Sequence, residues 1–350
     1  MANAPLLAAA ALSGGMDSLM ALVLLREQGY AVMGLHAHFL PPDEEGRRLA
    51  EAIAARCGEL DVPFHAVDLS ADFERLVIRP FIEAYARGET PNPCAHCNRH
   101  MKFGLLQDMA FALGADVLAT GHFARLVRED DGRVHLARGA DPVKDQSYFL
   151  TLVPQTRLER AAFPLCDWRK ADIPAALAAH GLTPPLPRPS LEVCFIPGDD
   201  YRAFLLERGT KLSGPGPIRL ADGVEVGRHQ GLWRHTIGQR KGLGVAWKEP
   251  LYVLGKDVAR NALIVGPKDA LMTDCCLAGE VNLLSPPEDW PGELAAQTCY
   301  RQRPRPVKAV YGKDGLLRLR FDDPLPRPTP GQVAAVFDLM GNAKAGGLIR

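Results

Sequence analysis

Leu6-Leu7-Ala8-Ala9-Ala10-Ala11-Leu12-Ser13-Gly14-Gly15-Met16-Asp17-Ser18 is the stretch on which the reading of this 350-residue chain turns. An uncharged apolar run leading into a glycine turn predicts a buried strand followed by a helix. The two glycines let the backbone approach an anion, and N–H groups at a helix start point toward it with the helix dipole behind them. Ser13 and Ser18 add hydroxyl donors, and Asp17 can hold Mg²⁺ beside a pyrophosphate. The segment has no Gly-Lys-Ser/Thr, which excludes the phosphate loop of kinases and GTPases. In isolation, a capped helix after a tight glycine turn reads the same way.

Working outward, Ala31–Phe39, Pro63–Leu69 and Ala115–Thr120 read as further strands. Ser18–Gln28, Glu44–Cys57 and Asp72–Ala86 read as amphipathic helices between them. This alternation predicts a parallel sheet covered on both faces. Asp131-Gly132 marks a β-hairpin between Arg125–Arg128 and Arg133–Ala137. The Pro-rich stretch 183–189 is a loop inside the first half, because helical sequence resumes at Asp199–Glu207. Beyond about residue 205, Gly and Pro become frequent, and Leu251–Leu254, Ala262–Val265, Leu316–Phe321 and Gln332–Phe337 read as short strands. The expected organisation is therefore α/β plus all-β: a catalytic domain over 1–205, a small β-rich domain over 206–275 and a barrel-like domain over 276–350.

Hydrophobic residues make up 47% of the chain and charged residues 23%, which excludes collagen-like, disordered and coiled-coil classes. No apolar run is long enough for a membrane span. No Lys or Arg precedes the first strand, so that run does not read as a signal peptide. The expectation is a cytoplasmic protein without a membrane partner, whose eight cysteines are mostly reduced thiols. Two settings stand out among them. Cys94-Ala95-His96-Cys97 follows Thr90-Pro91-Asn92-Pro93, which predicts a non-helical start. Two thiols so spaced can chelate a metal or exchange a disulfide. Cys194 follows a loop and precedes a predicted helix N-terminus, where a thiolate would be stabilised. Cys57, Cys166, Cys275, Cys276 and Cys299 have no such context, and Cys57 reads as core.

The loop Ser13–Ser18 resembles that of the PP-loop ATP pyrophosphatases, whose fold is of the adenine nucleotide alpha hydrolase-like kind. Further segments follow it in order. These are Thr90-Pro91-Asn92-Pro93 with Cys97-Asn98 and Lys102-Phe103, Ala119–Arg125, Lys144–Leu150, Cys194-Phe195-Ile196, Thr236–Gly244, Tyr300-Arg301-Gln302 and Thr329-Pro330-Gly331-Gln332. With the loop, they make nearly the whole chain similar to the tRNA-specific 2-thiouridylase family. The resemblance implies ATP-dependent replacement of the C2 oxygen of the wobble uridine by sulfur. It implies that Ala11, Leu12, Ser13, Gly14, Gly15, Met16, Asp17, Ser18, Ala37 and Gly121 hold ATP. It further implies that Asn92, Pro93 and Cys94 flank the target base, and that His122, Lys144, Asp145, Gln146, Tyr300 and Gln332 contact tRNA. Cys97 would be the nucleophile and Cys194 the carrier of a persulfide received from a sulfur donor, with a disulfide between the two resolving the transfer.

Three departures matter. Cys94 stands where many members have Asp, and Cys94, Cys97 and Cys194 together admit a [4Fe–4S] cluster as an alternative sulfur activator. The segment after the second strand is reduced to His38–Asp43, and Cys299 replaces a usual basic residue before Tyr300. Two rivals stay open: another PP-loop ligase, which would need neither Cys97 nor Cys194, and a retired tRNA- or cluster-binding protein. The overall charge of zero at first argues against RNA. Residues 1–200, however, carry 19 Lys/Arg against 26 Asp/Glu, and residues 201–350 carry 22 against 15. Arg234, Arg240, Lys241, Arg301, Arg303, Arg305 and Lys308 supply candidate phosphate contacts beside Trp233 and Tyr300.

Overall fold

The computed structural model describes residues 4–129, 132–186, 193–209 and 211–350. The first half is built on a five-stranded parallel sheet in the order β3-β2-β1-β4-β7. Its strands are β1 (Leu7–Ala11), β2 (Ala31–His38), β3 (Phe64–Asp68), β4 (Val117–Ala119) and β7 (Ala161–Ala162). The alanines of β1 explain its central place. Ala9 turns to one face, beside Met33 and Leu35, while Ala8 and Ala10 turn to the other, beside Leu22 and Leu25. Small side chains there let both covering layers approach the sheet closely.

Helix α1 (Met16–Glu27) is buried continuously from Ser18 to Leu25, so it is not the amphipathic helix that its pattern suggested. It lies between the sheet and a second helical layer. Leu22 and Leu25 face the sheet, and Leu19, Met20, Val23 and Leu24 pack with Ile173 and Leu177 of helix Ile173–Ala179. Helix α2 (Glu44–Glu59) is amphipathic, N-capped by Asp43 through the N–H of Gly46 at 2.8 Å. The expected hairpin forms from β5 (Ala124–Arg128) and β6 (Val134–Arg138), although its turn residue Asp131 lies outside the described residues.

The β-rich half comprises two bodies. In the first, β8 (Gly216–Leu220), β9 (Glu225–His229), β10 (Tyr252–Asp257) and β11 (Ala262–Gly266) make an open mixed sheet in the order β10-β11-β8-β9. In the second, β12 (Met272–Leu283), β13 (Leu294–Gln297), β14 (Arg305–Tyr311), β15 (Leu317–Pro326), β16 (Val333–Asp338) and β17 (Ala343–Ile349) close into a six-stranded barrel. On β15, Leu317, Leu319 and Phe321 point into the barrel, and Arg318 and Arg320 point out.

One apolar core joins the barrel to the first half: Leu150, Leu152 and Val153 pack with Val333, Ala335 and Phe337. Hydrogen bonds pin the same seam. The Tyr148 hydroxyl donates to the Val333 carbonyl at 3.0 Å, and the Asn282 amide donates to the carbonyls of Thr151 and Val153 at 2.8 Å. The barrel is thereby held in fixed relation to the sheet and its loops.

Candidate active site at the carboxyl edge of the sheet

The chain leaves β1 toward β2 and β3 on one side, with β4 and β7 on the other, so the sheet reverses its strand order between β1 and β4. In open α/β sheets ligands bind at that crevice, beyond the carboxyl ends of the strands. Ser13–Ser18 occupies it. Gly14 takes φ +82°, and the Ser18 hydroxyl donates to the Gly15 carbonyl at 2.9 Å while accepting from the Ser13 N–H at 3.2 Å. Ala11 ends β1 opposite Leu35 of β2, the next N–H, of Leu12, donates to Leu35 O at 2.8 Å, and Ala37 lies two residues further along β2. The Leu186 N–H donates to the Gly14 carbonyl at 2.9 Å, so the Pro-rich loop runs over the phosphate loop as far as the described residues go. Gly121, just past β4, backs onto the helix start. A Cβ there would stand 2.7 Å from the Asp17 carbonyl carbon and 2.9 Å from the Ser18 nitrogen.

Past Gly121 the same edge continues to the thiols. His122 is 5% exposed; its Nδ1 is 2.7 Å from Thr120 Oγ1 and its Nε2 is 3.4 Å from Lys102 Nζ. An ammonium group only donates, so Nε2 accepts and Nδ1 carries the proton that Thr120 accepts. Burial, aided by the Lys102 charge, pushes the His122 pKa well below the usual value and keeps the ring neutral. The Lys102 charge also acts on all three motif thiols. Burial raises the pKa of Cys94, Cys97 and Cys194, that of Cys97 to about 12, and in each case the Lys102 charge opposes the rise. Cys194 also raises the pKa of Cys94, and Cys194 and Cys94 both raise that of Cys97.

Two local expectations are corrected. Cys94 and Cys97 lie on a helix, Pro93–Cys97, because Pro93 takes the first helical position, where its missing N–H costs nothing. Asn92 caps that helix, accepting from the Ala95 N–H at 3.2 Å. Cys194 is not at a helix N-terminus: the next α-helix begins at Tyr201, and the thiol pKa is raised, not lowered. Its place is fixed instead by Phe195, 4% exposed and ringed by Phe73, Phe81 and Phe204 at 5.7, 5.2 and 5.5 Å.

All eight cysteines are free thiols. Among the described residues, no three His, Cys, Asp or Glu stand close enough to share a metal ion. Cys94 is exposed while Cys97, one helical turn on, is buried.

The residues expected at tRNA divide into two groups. Tyr300 lies on the aromatic pair Phe149 and Tyr148, at 4.5 and 6.4 Å, and the Asn98 amide donates to the Phe149 carbonyl at 3.3 Å, so the barrel brings Tyr300 near the segment that follows Cys97. Asp145, Gln146 and Gln332 instead hold backbone. Asp145 accepts from the N–H groups of Gly139 and Ser147 at 3.1 and 3.2 Å. Gln146 accepts from Phe123 N–H at 3.0 Å, and Gln332 donates to the carbonyls of Thr90 and Pro91 at 2.9 and 3.2 Å. Trp233 is 3% exposed with its indole N–H on the Ser213 carbonyl at 3.1 Å, so it offers no stacking platform to a base.

Two lysines join the site without having been expected there. Lys102 was visible only as part of a motif. Lys170, with no motif signal, forms an ion pair with Asp17.

A glycine phosphate loop at the switch point of a parallel sheet, facing paired cysteines, defines a nucleotide-handling α/β enzyme domain carrying β-rich appendages. The description of a tRNA methyl transferase HUP domain matches residues 7–198, and that of a tRNA methyl transferase PRC-barrel domain matches residues 202–267. The tRNA-specific 2-thiouridylase MnmA of Nitratidesulfovibrio vulgaris is 54% identical over 345 residues, covering 97% of this chain and 98% of the relative. Those of Oleidesulfovibrio alaskensis and Lawsonia intracellularis are 52% and 45% identical, each with 97% of this chain and 98% of the relative covered. The chain belongs to the family of tRNA-specific 2-thiouridylases.

Proposed function

We propose that this protein uses ATP to place sulfur on C2 of the wobble uridine of tRNA. The observation that carries the reading is the run of neighbours along the sheet edge, from Ser13–Ser18 through Gly121 and His122 to Lys102, whose charge acts on the thiols. That run lets one bound uridine meet both the α-phosphate of ATP and a sulfur nucleophile. In this reading Ala11–Ser18, Ala37 and Gly121 hold ATP. Attack of the C2 oxygen on the α-phosphate releases pyrophosphate, whose charge the loop N–H groups stabilise. The oxygens of Asp17, Ser13 and Ser18 are donors that suit Mg²⁺, which would neutralise the departing pyrophosphate.

Sulfur enters from a persulfide on Cys194, loaded by an external donor. Its terminal sulfur displaces AMP from C2. The Cys97 thiolate then attacks Cys194 Sγ, leaving the sulfur on uridine and closing a Cys97–Cys194 disulfide that an external dithiol must reduce. Asn92, Pro93 and Cys94 flank the base, and His122, Lys144, Asp145, Gln146, Tyr300 and Gln332 form the surrounding tRNA contact. For Asp145, Gln146 and Gln332 that contact is made through the backbone they hold in place. Residues 1–205 do the chemistry, and 206–275 and 276–350 grip the RNA.

The matched domain descriptions name methyl transfer, which requires neither a pyrophosphate-releasing loop nor two facing thiols; the relatives' thiouridylase names suit both. No helix among the described residues is long and apolar enough to cross a membrane, and a tRNA substrate puts the reaction in the cytoplasm. Incubation of tRNA with ATP and a persulfide donor should yield 2-thiouridine together with AMP and pyrophosphate. Pyrophosphate release without tRNA dependence would favour another PP-loop ligase.

A further inference from the structure

The only charged side chain within Ser13–Ser18 is Asp17, which is negative. A triphosphate brings several negative charges to that loop, which offers them only N–H dipoles and the hydroxyls of Ser13 and Ser18. Loops that end in Gly-Lys-Ser/Thr carry their own cation, and this one does not. The structure supplies a cation from 153 residues away: the Lys170 ammonium donates to an Asp17 carboxylate oxygen, with side-chain exposures of 19% and 34%.

Lys170 is also held from behind. Its backbone N–H donates to Asp141 Oδ2 at 3.0 Å, while Asp141 Oδ1 accepts from the N–H groups of Val143 and Lys144 at 2.9 and 3.1 Å. Burial works against the ionised Asp141 carboxyl, yet these three donors hold its pKa below the usual carboxylate range, so it stays charged at neutral pH. On the other side Ile173 packs against α1. The backbone of Lys170 is thus fixed, and only the flexible four-carbon stem is free to move the ammonium.

We infer that Lys170 is a phosphate-binding residue of the ATP site, parked on Asp17 until the triphosphate arrives. A lysine ammonium is a compact charge on a mobile stem, suited to leaving a carboxylate for a more highly charged oxyanion a short distance away. The exchange serves both groups. The ammonium gains a polyphosphate partner, and Asp17 is freed for the cation that accompanies ATP. The inference rests on the ATP reading above and adds to it a residue and a role.

The test measures binding of ATP and of AMP to the whole protein by titration calorimetry, for wild type, Lys170→Met and Lys170→Arg. The expected result is that Lys170→Met weakens ATP binding tenfold or more, leaves AMP binding within twofold, and that Lys170→Arg restores most of the ATP affinity. Lys170→Met that binds ATP as tightly as wild type would overturn the inference alone. Equal weakening of ATP and AMP would overturn it too, because it would mean that the ion pair only shapes the loop. Wild-type protein that binds neither nucleotide would overturn the ATP reading itself.

Discussion

At the scale of residues, Lys102 carries a charge that acts on all three motif thiols. Three thiols around it have pKa values raised by partial desolvation, most plainly the buried Cys97, and a thiol is a poor nucleophile until it ionises. The Lys102 charge opposes that rise at all three, and its position is set by the Thr120–His122 pair. Removing it should push the thiols up further. A raised thiol pKa means that thiolate is scarce below it and grows about tenfold per pH unit as pH rises toward it. In Lys102→Met, the pH dependence of alkylation at Cys97 and Cys194 should therefore move upward by roughly one unit. Mass spectrometry of labelled peptides reads this directly, and profiles that coincide with wild type would deny Lys102 the role. The cysteines themselves were legible in the sequence from their spacing and setting. Lys102 and Lys170 were not, because each owes its role to partners brought up by the fold.

At the scale of elements, the site depends on how closely β4 and its following turn approach α1. Gly121 makes that contact, with no room for a Cβ between it and the Asp17 carbonyl. Gly121→Ala must move the helix start, at a cost of about 1–3 kcal/mol for an overpacked position. The expected outcome is a lowered melting temperature and at least a tenfold loss of ATP affinity by calorimetry; undiminished affinity would show that the approach does not shape the loop. Elements with strong patterns were readable: β1, β2 and the β5–β6 hairpin lie where periodicity and turn residues put them. The two misread elements share a cause. Thr90–Pro93 was read as a non-helical start, whereas a helix begins at Pro93 itself, and the helix beyond Cys194, read from Asp199, starts at Tyr201. Helix boundaries depend on caps and on aromatic anchors such as Phe195, whose partners are far away in sequence.

At the scale of the whole molecule, the protein stores several neutral histidines. His36, His122, His229 and His235 are buried, and burial lowers each pKa, that of His235 to about 4. The unfolded chain takes up protons at these sites below about pH 6.5, while the folded protein does not, so stability is present above that pH and is lost as pH falls. Thermal melts should show a falling melting temperature below roughly pH 6.5, and a flat profile down to about pH 5 would contradict the burial of these rings. The division into a sheet-based half and a β-rich half was legible from composition. The closed barrel was not, since closure is a matter of which strands pair, and neither was the shared core that fixes the barrel to residues 148–153.

The most direct test of the central claim is mass analysis of nucleosides from tRNA incubated with ATP and a persulfide donor, for wild type and Cys194→Ala, with pyrophosphate measured alongside. Wild type should give 2-thiouridine and pyrophosphate together, and Cys194→Ala should release pyrophosphate in a tRNA-dependent way while forming no 2-thiouridine. Wild type that forms no 2-thiouridine, or Cys194→Ala that forms it undiminished, would contradict the account.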